Sequence, residues 1–369
     1  MRDKSPIAWS EEERGFLVTR YADVTACLQH PALSSAITPG SLVGLSRPVV
    51  ETYGRVLRRQ LDLIDPPRHT VLRNVFSRAF GAAQLKRLQA FVERWMGGRL
   101  HSLPSPFNLM NEIAQPLPLA VVLELLGLPS DQRQLVHHDI SLFVTALADP
   151  VAAVTSATAA LDGLRGLLSE ALTRSDLDEG GLVPIVRDAV PRGLDLEDVI
   201  ANVILILAAG HQTMTNLIGN GALLLLAHPA QRSIVATQPD AWRSAIEEML
   251  RFESPVQAVR RVCTMPFKLS GQPIAVGEEV VLVLGAANRD PEAFVDADRF
   301  HVLRTVNRHV AFGGGAHFCL AAQLARLQAH VALTALFSLT SLRAVEAEPV
   351  WIPSRTYRGL ERLIVEYAR

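Results

Sequence analysis

The spacing of apolar positions divides the chain into a short mixed start, a long helical middle and a late run of strands. Residues 16 to 30, FLVTRYADVTACLQH, predict a short strand, a turn and a helix. From about 65 to 235 the spacing is mostly helical, punctuated by Pro104, Pro116, Pro129, Pro150, Pro184 and Pro229. The largest predicted element runs from about 198 to 228. At 1.5 Å per residue it would span ~45 Å and is expected to run through the centre. Strand patterns return in FKLSGQPIAVGEEVVLVLG, 267 to 285, and around WIPSRTYRGLERLIVEY, 351 to 367. The expected fold is mainly α with a smaller β region, a single domain over 1–369 with a short lead at 1–15. There is no internal repeat and no low-complexity tract.

Charge and length narrow the classes. The chain has 369 residues, with 36 basic and 37 acidic side chains and a formal net charge of −1. No overall charge draws it to nucleic acid or to anionic lipid, so binding has to come from a local site. A chain this long can bury a sizeable core and enclose a cofactor. The longest unbroken apolar run, 203 to 210, is far shorter than the ~18 residues of a spanning helix, and the start MRDKSPIAWSEEER has no apolar leader. This reads as a cytoplasmic protein without membrane partners. Its three cysteines, Cys27, Cys263 and Cys319, form no Cys-x-x-Cys pair, which argues against a disulfide framework or a structural zinc.

The most informative stretch is AFGGGAHFCLA, 311 to 321. Gly313, Gly314 and Gly315 let the backbone turn tightly and approach another group closely. An amphipathic helix is expected to follow, with Leu320, Leu324, Leu327 and Val331 on one face. Cys319 is then expected at a helix N-terminus, where unpaired N–H groups and the dipole favour a thiolate. Taken alone, three glycines and a cysteine also describe an ordinary turn with a small buried thiol.

The full string changes that weighting. Phe312, Gly313, Gly315, His317, Cys319 and Leu320 at these spacings resemble the haem-binding signature of the cytochrome P450 family. The family pattern usually has glycine where Ala321 stands. The resemblance extends from residue 16 to 367, through LDLIDPPRHTVLR, LPLAVVLELLGLP, GAANRDPEAF and RGLERL. It implies the cytochrome P450 fold, with the long central helix over the haem, haem b as cofactor and Cys319 as the proximal ligand to its iron. Thiolate ligation pushes electron density toward bound oxygen.

Further residues take roles from the same resemblance. Glu248 and Arg251 in IEEMLRFESPV look like the family's Glu-x-x-Arg pair, completed by Arg299 into a buried network that scaffolds the cysteine loop. On its own the i, i+3 pair would be read as a solvated contact. His69 and Arg73, four apart in DPPRHTVLR, match the family's propionate partners, as do His317 and Arg261; Arg260 is the alternative to Arg261. In the central helix, Asn202, Ile206, Ala209 or Gly210, and Thr213 fall on one face. The implied role is oxygen activation: Ala209 and Gly210 make room, and Gln212 and Thr213 sit where an acid and a threonine usually relay protons. Glutamine supplies no titrating proton. His211 is expected to turn away from the haem.

The implied reaction is insertion of oxygen from O2 into a small organic substrate, typically hydroxylation in secondary metabolism. Electrons would come from a ferredoxin and a ferredoxin reductase, since no flavin domain fits in the chain. Arg73 and Arg78 would attract an acidic ferredoxin. Substrate-facing positions by resemblance are 41 to 56, Ile206, Ala209, 256 to 259 and 356 to 358, mostly apolar. Because Gln212 replaces the acid, oxidative coupling, cyclisation, dehydration or peroxide-driven chemistry is the first alternative. A non-catalytic haem-binding or sensing protein is the second.

Overall fold

The computed structural model describes residues 5–36, 54–128, 154–174, 177, 180–346 and 348–368. The expected substrate-facing loop at 41 to 56 lies mostly outside them, as do Pro129 and Pro150. The chain divides into two compact units, neither contiguous in sequence. One holds Met1–Ser34, Phe91–Leu117 and Thr213–Arg369; the other holds Ser35–Ala90 and Pro118–Gln212.

Five helices matter for the site: α1 (Tyr21–Leu28), α2 (Arg68–Phe76), α3 (Leu196–Ala227), α4 (Ala241–Phe252) and α5 (Ala322–Leu336). So do five strands: β1 (Ile7–Ser10), β2 (Gly15–Val18), β3 (Leu33–Ser34), β4 (Val259–Cys263) and β5 (Glu279–Leu282). The strands form one sheet in the order β1-β2-β5-β4-β3. β2 and β5 run parallel, with Leu17 opposite Val281, and the other pairs are antiparallel. Phe16, Val18, Val280, Leu282 and Cys263 of this sheet pack with Val24, Cys27 and Leu28 of α1 into one apolar core. Burying each such side chain stabilises by roughly 1.5 to 3 kcal/mol. The strand β1 was not expected. Its four residues, IAWS, are too short to show a period, and Trp9 joins the fold by meeting Phe16 edge-on at 5.2 Å.

The long helix α3 matches its expected span to within two residues. Asp195 fixes its start, where Oδ1 accepts the Glu197 N–H at 2.9 Å. Its end is set by Pro229, which disfavours helical backbone at His228. Between them the helix is apolar nearly all round and buried along most of its length.

In the second unit, the start of α3 clamps the segment that leads into α2. Asp198 pairs with Arg59 at 2.6 Å and with Arg68. Asn202, fully buried, accepts the Leu61 N–H at 2.7 Å and donates to the carbonyls of Arg59 and Asp198. Asn202 is therefore a structural clamp rather than a member of the site-facing line.

The helix after the cysteine also differs from expectation. It starts at Ala322, and its buried face is Ala322, Leu324, Gln328, Ala329, Ala332, Leu333 and Leu336, with Leu327 and Val331 only half-buried. Among the described residues no helix is long and apolar enough to cross a membrane.

Candidate active site

The loop before Cys319 closes on itself through two backbone bonds. Gly313 N–H donates to the Val310 carbonyl and Cys319 N–H to the Phe312 carbonyl, both at 2.9 Å. Gly313 and Gly315 have φ of +70° and +62°, the left-handed region that favours glycine. The close approach these glycines permit is to α1. A Cβ on Gly315 would lie 2.6 Å from the Leu28 carbonyl oxygen, and one on Gly314 would lie 3.3 Å from the Leu28 side chain. Residues 315 to 317 form one tight turn, and Cys319 follows half-buried, three residues before the first residue of α5. Cys319 thus precedes the helix N-terminus rather than occupying it.

The other two thiols are enclosed. Cys27 and Cys263 are buried in the apolar core, and burial pushes the Cys27 thiol up to about 12. Of the three, Cys319 is the one that combines a turn with partial exposure.

Glu248 on α4 is the hub that holds this loop. Its carboxylate is fully buried and accepts Arg251 Nε at 2.7 Å and Nη2 at 2.8 Å. It also accepts Arg304 Nε at 2.9 Å, the His301 N–H at 2.9 Å and Asn307 Nδ2 at 3.2 Å. Arg251 spans to the carbonyls of Asn288, Ala297 and Arg299. Asn288 then accepts the Val310 N–H at 2.7 Å and so ties the start of the cysteine loop to the hub. Here Arg299 needs correction. Its side chain is 81% exposed and 4.0 Å from the exposed Asp296, so it contributes only a carbonyl, and the third charged member is Arg304. The cause is the loop itself: Asp296 has φ of 50°, and the bend sends Arg299 outward and returns Arg304.

The two arginines left open by sequence are now distinguished. Arg260 is half-exposed and engaged by Glu13 and Glu279 at the sheet surface. Arg261, its neighbour on β4, is 8% exposed, with Nη1 donating to the Arg260 carbonyl at 2.7 Å. Like Arg261, His317, Phe312 and Cys319 belong to the first unit, as do Glu248, Arg251 and Thr213.

His69, Arg73, Ala209, Gly210 and Gln212 belong to the second unit. His69 is buried on α2, and burial together with the Arg73 charge lowers its pKa, so it is neutral near pH 7. Arg73 is half-buried one turn later and Arg78 is exposed. Along α3, Ala208 and Met214 are buried, whereas Ala209 is exposed and Gly210, His211, Gln212 and Thr213 are half-buried. An accessible run of small and polar residues thus interrupts a buried helix. Glycine at 210 has a packing reason of its own, because a Cβ there would lie 2.7 Å from Val122 Cγ2.

These residues fit a haem by the chemistry of their donors. A half-buried thiol on a pinned turn suits iron. Arg261, Arg73 and the two imidazoles suit carboxylates, and Ala209 with Gly210 leaves an accessible helix surface free of bulk. Sequence reasoning passed over Arg304, Asn288, Glu247, Arg326 and His309. The doubled acid in IEEMLR was a usable signal for Glu247; the others depend on pairings across loops.

Comparison with known proteins gives a consistent answer. The family profile for Cytochrome P450 matches residues 242–359. The Vitamin D(3) 25-hydroxylase of Pseudonocardia autotrophica is 38% identical over 362 residues, covering 95% of this chain and 87% of that protein. The cytochrome P450 monooxygenase PikC of Streptomyces venezuelae is 34% identical over 369 residues, covering 97% and 86%. Among solved structures, CYP109E1 from Bacillus megaterium in complex with testosterone superposes with a TM-score of 0.87 at 27% identity, covering 100% of this chain and 98% of that one. With relatives of this identity along nearly its whole length, the chain belongs to the cytochrome P450 family of haem-thiolate monooxygenases, and is an oxidoreductase.

Proposed function

We propose that this chain binds haem b through Cys319 and hydroxylates a medium-sized, largely apolar organic molecule of secondary metabolism, using O2 and electrons delivered by a ferredoxin and its reductase. The observation that carries this reading is the presentation of Cys319: a half-buried thiol on a glycine turn, fixed by its own N–H to Phe312 and tied through Asn288 to a buried charged hub. When bound, the haem would supply the oxygen-activating iron, and the Cys319 thiolate would lend it electron density.

The protein's part is to hold and to deliver. Arg261, Arg73 and His317 would bind the propionates, with neutral His69 as a further donor, each charge-assisted bond contributing ~1.5 to 3 kcal/mol. Ala209 and Gly210 leave space on the accessible stretch of α3. Thr213 would hold an ordered water there, and Gln212 would orient it by accepting and donating hydrogen bonds. The substrate class is supported by the name of the Vitamin D(3) 25-hydroxylase and by the testosterone bound to CYP109E1, both pointing to fused or linked apolar rings. Exposed Arg78 is the proposed cation for an acidic ferredoxin.

One observation favours a second outcome. Gln212 cannot titrate, so proton delivery through this helix depends on Thr213 and water, which suits coupling, ring closure or peroxide-driven oxidation. Steroid-like candidates, titrated into the ferric protein, should include one that converts the Soret band from low to high spin. That compound should be hydroxylated with ferredoxin, reductase, NAD(P)H and O2. Turnover with peroxide alone, and none with the redox proteins, would replace the first outcome with the second; a spectrum fixed under every ligand, with no turnover by either route, would reject both.

A further inference from the structure

A second polar cluster adjoins the cysteine loop, separate from the Glu248 hub. Glu247, the neighbour of Glu248 on α4, takes Arg326 Nε on Oε1 at 2.7 Å and Arg326 Nη2 on Oε2 at 2.9 Å. The same Oε2 lies 3.1 Å from His309 Nε2. The remaining contact orients the ring: Ala311 N–H donates to His309 Nδ1 at 3.2 Å, which leaves Nε2 facing Glu247. The cluster thus joins one carboxylate, one guanidinium and one imidazole. Burial alone would push Glu247 up, but Arg326 and His309 outweigh it and hold the carboxyl at about 2. Arg326 is held above its ordinary value by its bonds to Glu247, with the Cys319 charge adding to the effect.

The cation is aimed at the loop. The guanidinium carbon of Arg326 lies 4.6 Å from the ring centre of Phe312, while the Phe312 carbonyl accepts the Cys319 N–H at 2.9 Å. A single residue thus carries the charge on its ring and the thiol's own amide on its backbone. We propose that Arg326 is a positioning residue that keeps a positive charge beside the Cys319 sulfur, and that Glu247 sets how much of that charge the sulfur feels. The pair would thereby tune the reduction potential of iron bound there. This rests on Cys319 as the iron ligand.

The sign of the effect separates tuning from scaffolding. A nearby cation favours the more negative, reduced state, and a nearby anion opposes it. Glu247→Gln keeps an acceptor for Arg326 and removes the anion; Arg326→Gln keeps donors and removes the cation. In anaerobic spectroelectrochemical titrations of the holoproteins at pH 8, the midpoint potential should rise in Glu247→Gln, fall in Arg326→Gln and stay at the wild-type value in Arg326→Lys. A merely structural cluster would move the first two the same way or not at all, and either result overturns the proposal. Should Arg326→Gln fail to keep its haem, the other two variants decide: a rise in Glu247→Gln with Arg326→Lys unmoved supports the proposal, and any other pattern overturns it. The carbon-monoxide band of the reduced wild type distinguishes the two failures. Without the sulfur-ligated band the ligand assignment falls; with that band present and potentials unmoved or shifted alike, only the tuning falls.

Discussion

Replacing Arg304 should cost the protein several times more stability than replacing Arg299, although the two arginines are five residues apart in one loop. The side chain of Arg304 is 10% exposed and makes four hydrogen bonds: to the Glu248 carboxylate at 2.9 Å and to the carbonyls of Val295, Asp296 and Arg299. Orphaning a buried charge costs ~3 to 5 kcal/mol. Arg304→Met stops short of that, because Glu248 keeps Arg251, the His301 N–H and Asn307. The loss is then close to that of charge-assisted bonds, ~2 to 3 kcal/mol. Arg299→Met removes an exposed side chain with one pair at 4.0 Å and leaves in place the carbonyl that Arg251 uses. Its cost should be within ~0.5 kcal/mol. Urea unfolding of the two holoproteins, followed by circular dichroism and Soret absorbance together, measures both, with an unchanged slope confirming that stability alone moved. Equal losses, or a larger loss for Arg299→Met, would refute the assignment of the hub.

Three further expectations follow from the same structure. Glu247 titrates at about 2 in the fold against 4.5 ordinarily, so its stabilisation is complete above pH 4.5 and is lost as pH falls from there toward 2; thermal melts across that window should show a smaller loss for Glu247→Gln than for wild type. Gly315→Ala should destabilise more than Gly313→Ala, by urea midpoint. Both have positive φ, which costs ~1 kcal/mol for alanine, but only Gly315 would drive a Cβ into backbone, at 2.6 Å from the Leu28 oxygen, whereas the nearest atom at Gly313 is 3.7 Å away. Gln212→Glu places a carboxyl beside Thr213 and should raise product formed per O2 consumed; an unchanged ratio would show that the missing acid is not limiting.

What could be read from the sequence was local and periodic. The span of α3 was visible because its apolar run is long and bounded by Asp195 and Pro229. Strand β1 escaped because four residues cannot establish alternation and its partners Phe16 and Leu17 already formed a recognisable strand. The cysteine loop was found through its string of residues, yet the reason for two of its glycines lies nearly 300 positions away, at Leu28. Arg304 was missed for Arg299 because no period governs a loop: a left-handed bend at Asp296 decides which arginine turns inward. Arg260 and Arg261 were separable only once β4 was paired, since alternate strand residues face opposite ways and the neighbours Glu13 and Glu279 lie on one side. The Glu247, His309 and Arg326 cluster joins a helix, a loop and a second helix, and such a meeting has no signature in spacing.

Everything about chemistry in this chain depends on Cys319 holding iron. The most direct measurement is the absorption spectrum of the reduced, carbon-monoxide-treated holoprotein beside that of Cys319→Ala. The wild type should show the red-shifted Soret band of sulfur-ligated iron, and the variant should lose that band. A wild type without it, or a variant that keeps it, would contradict the account.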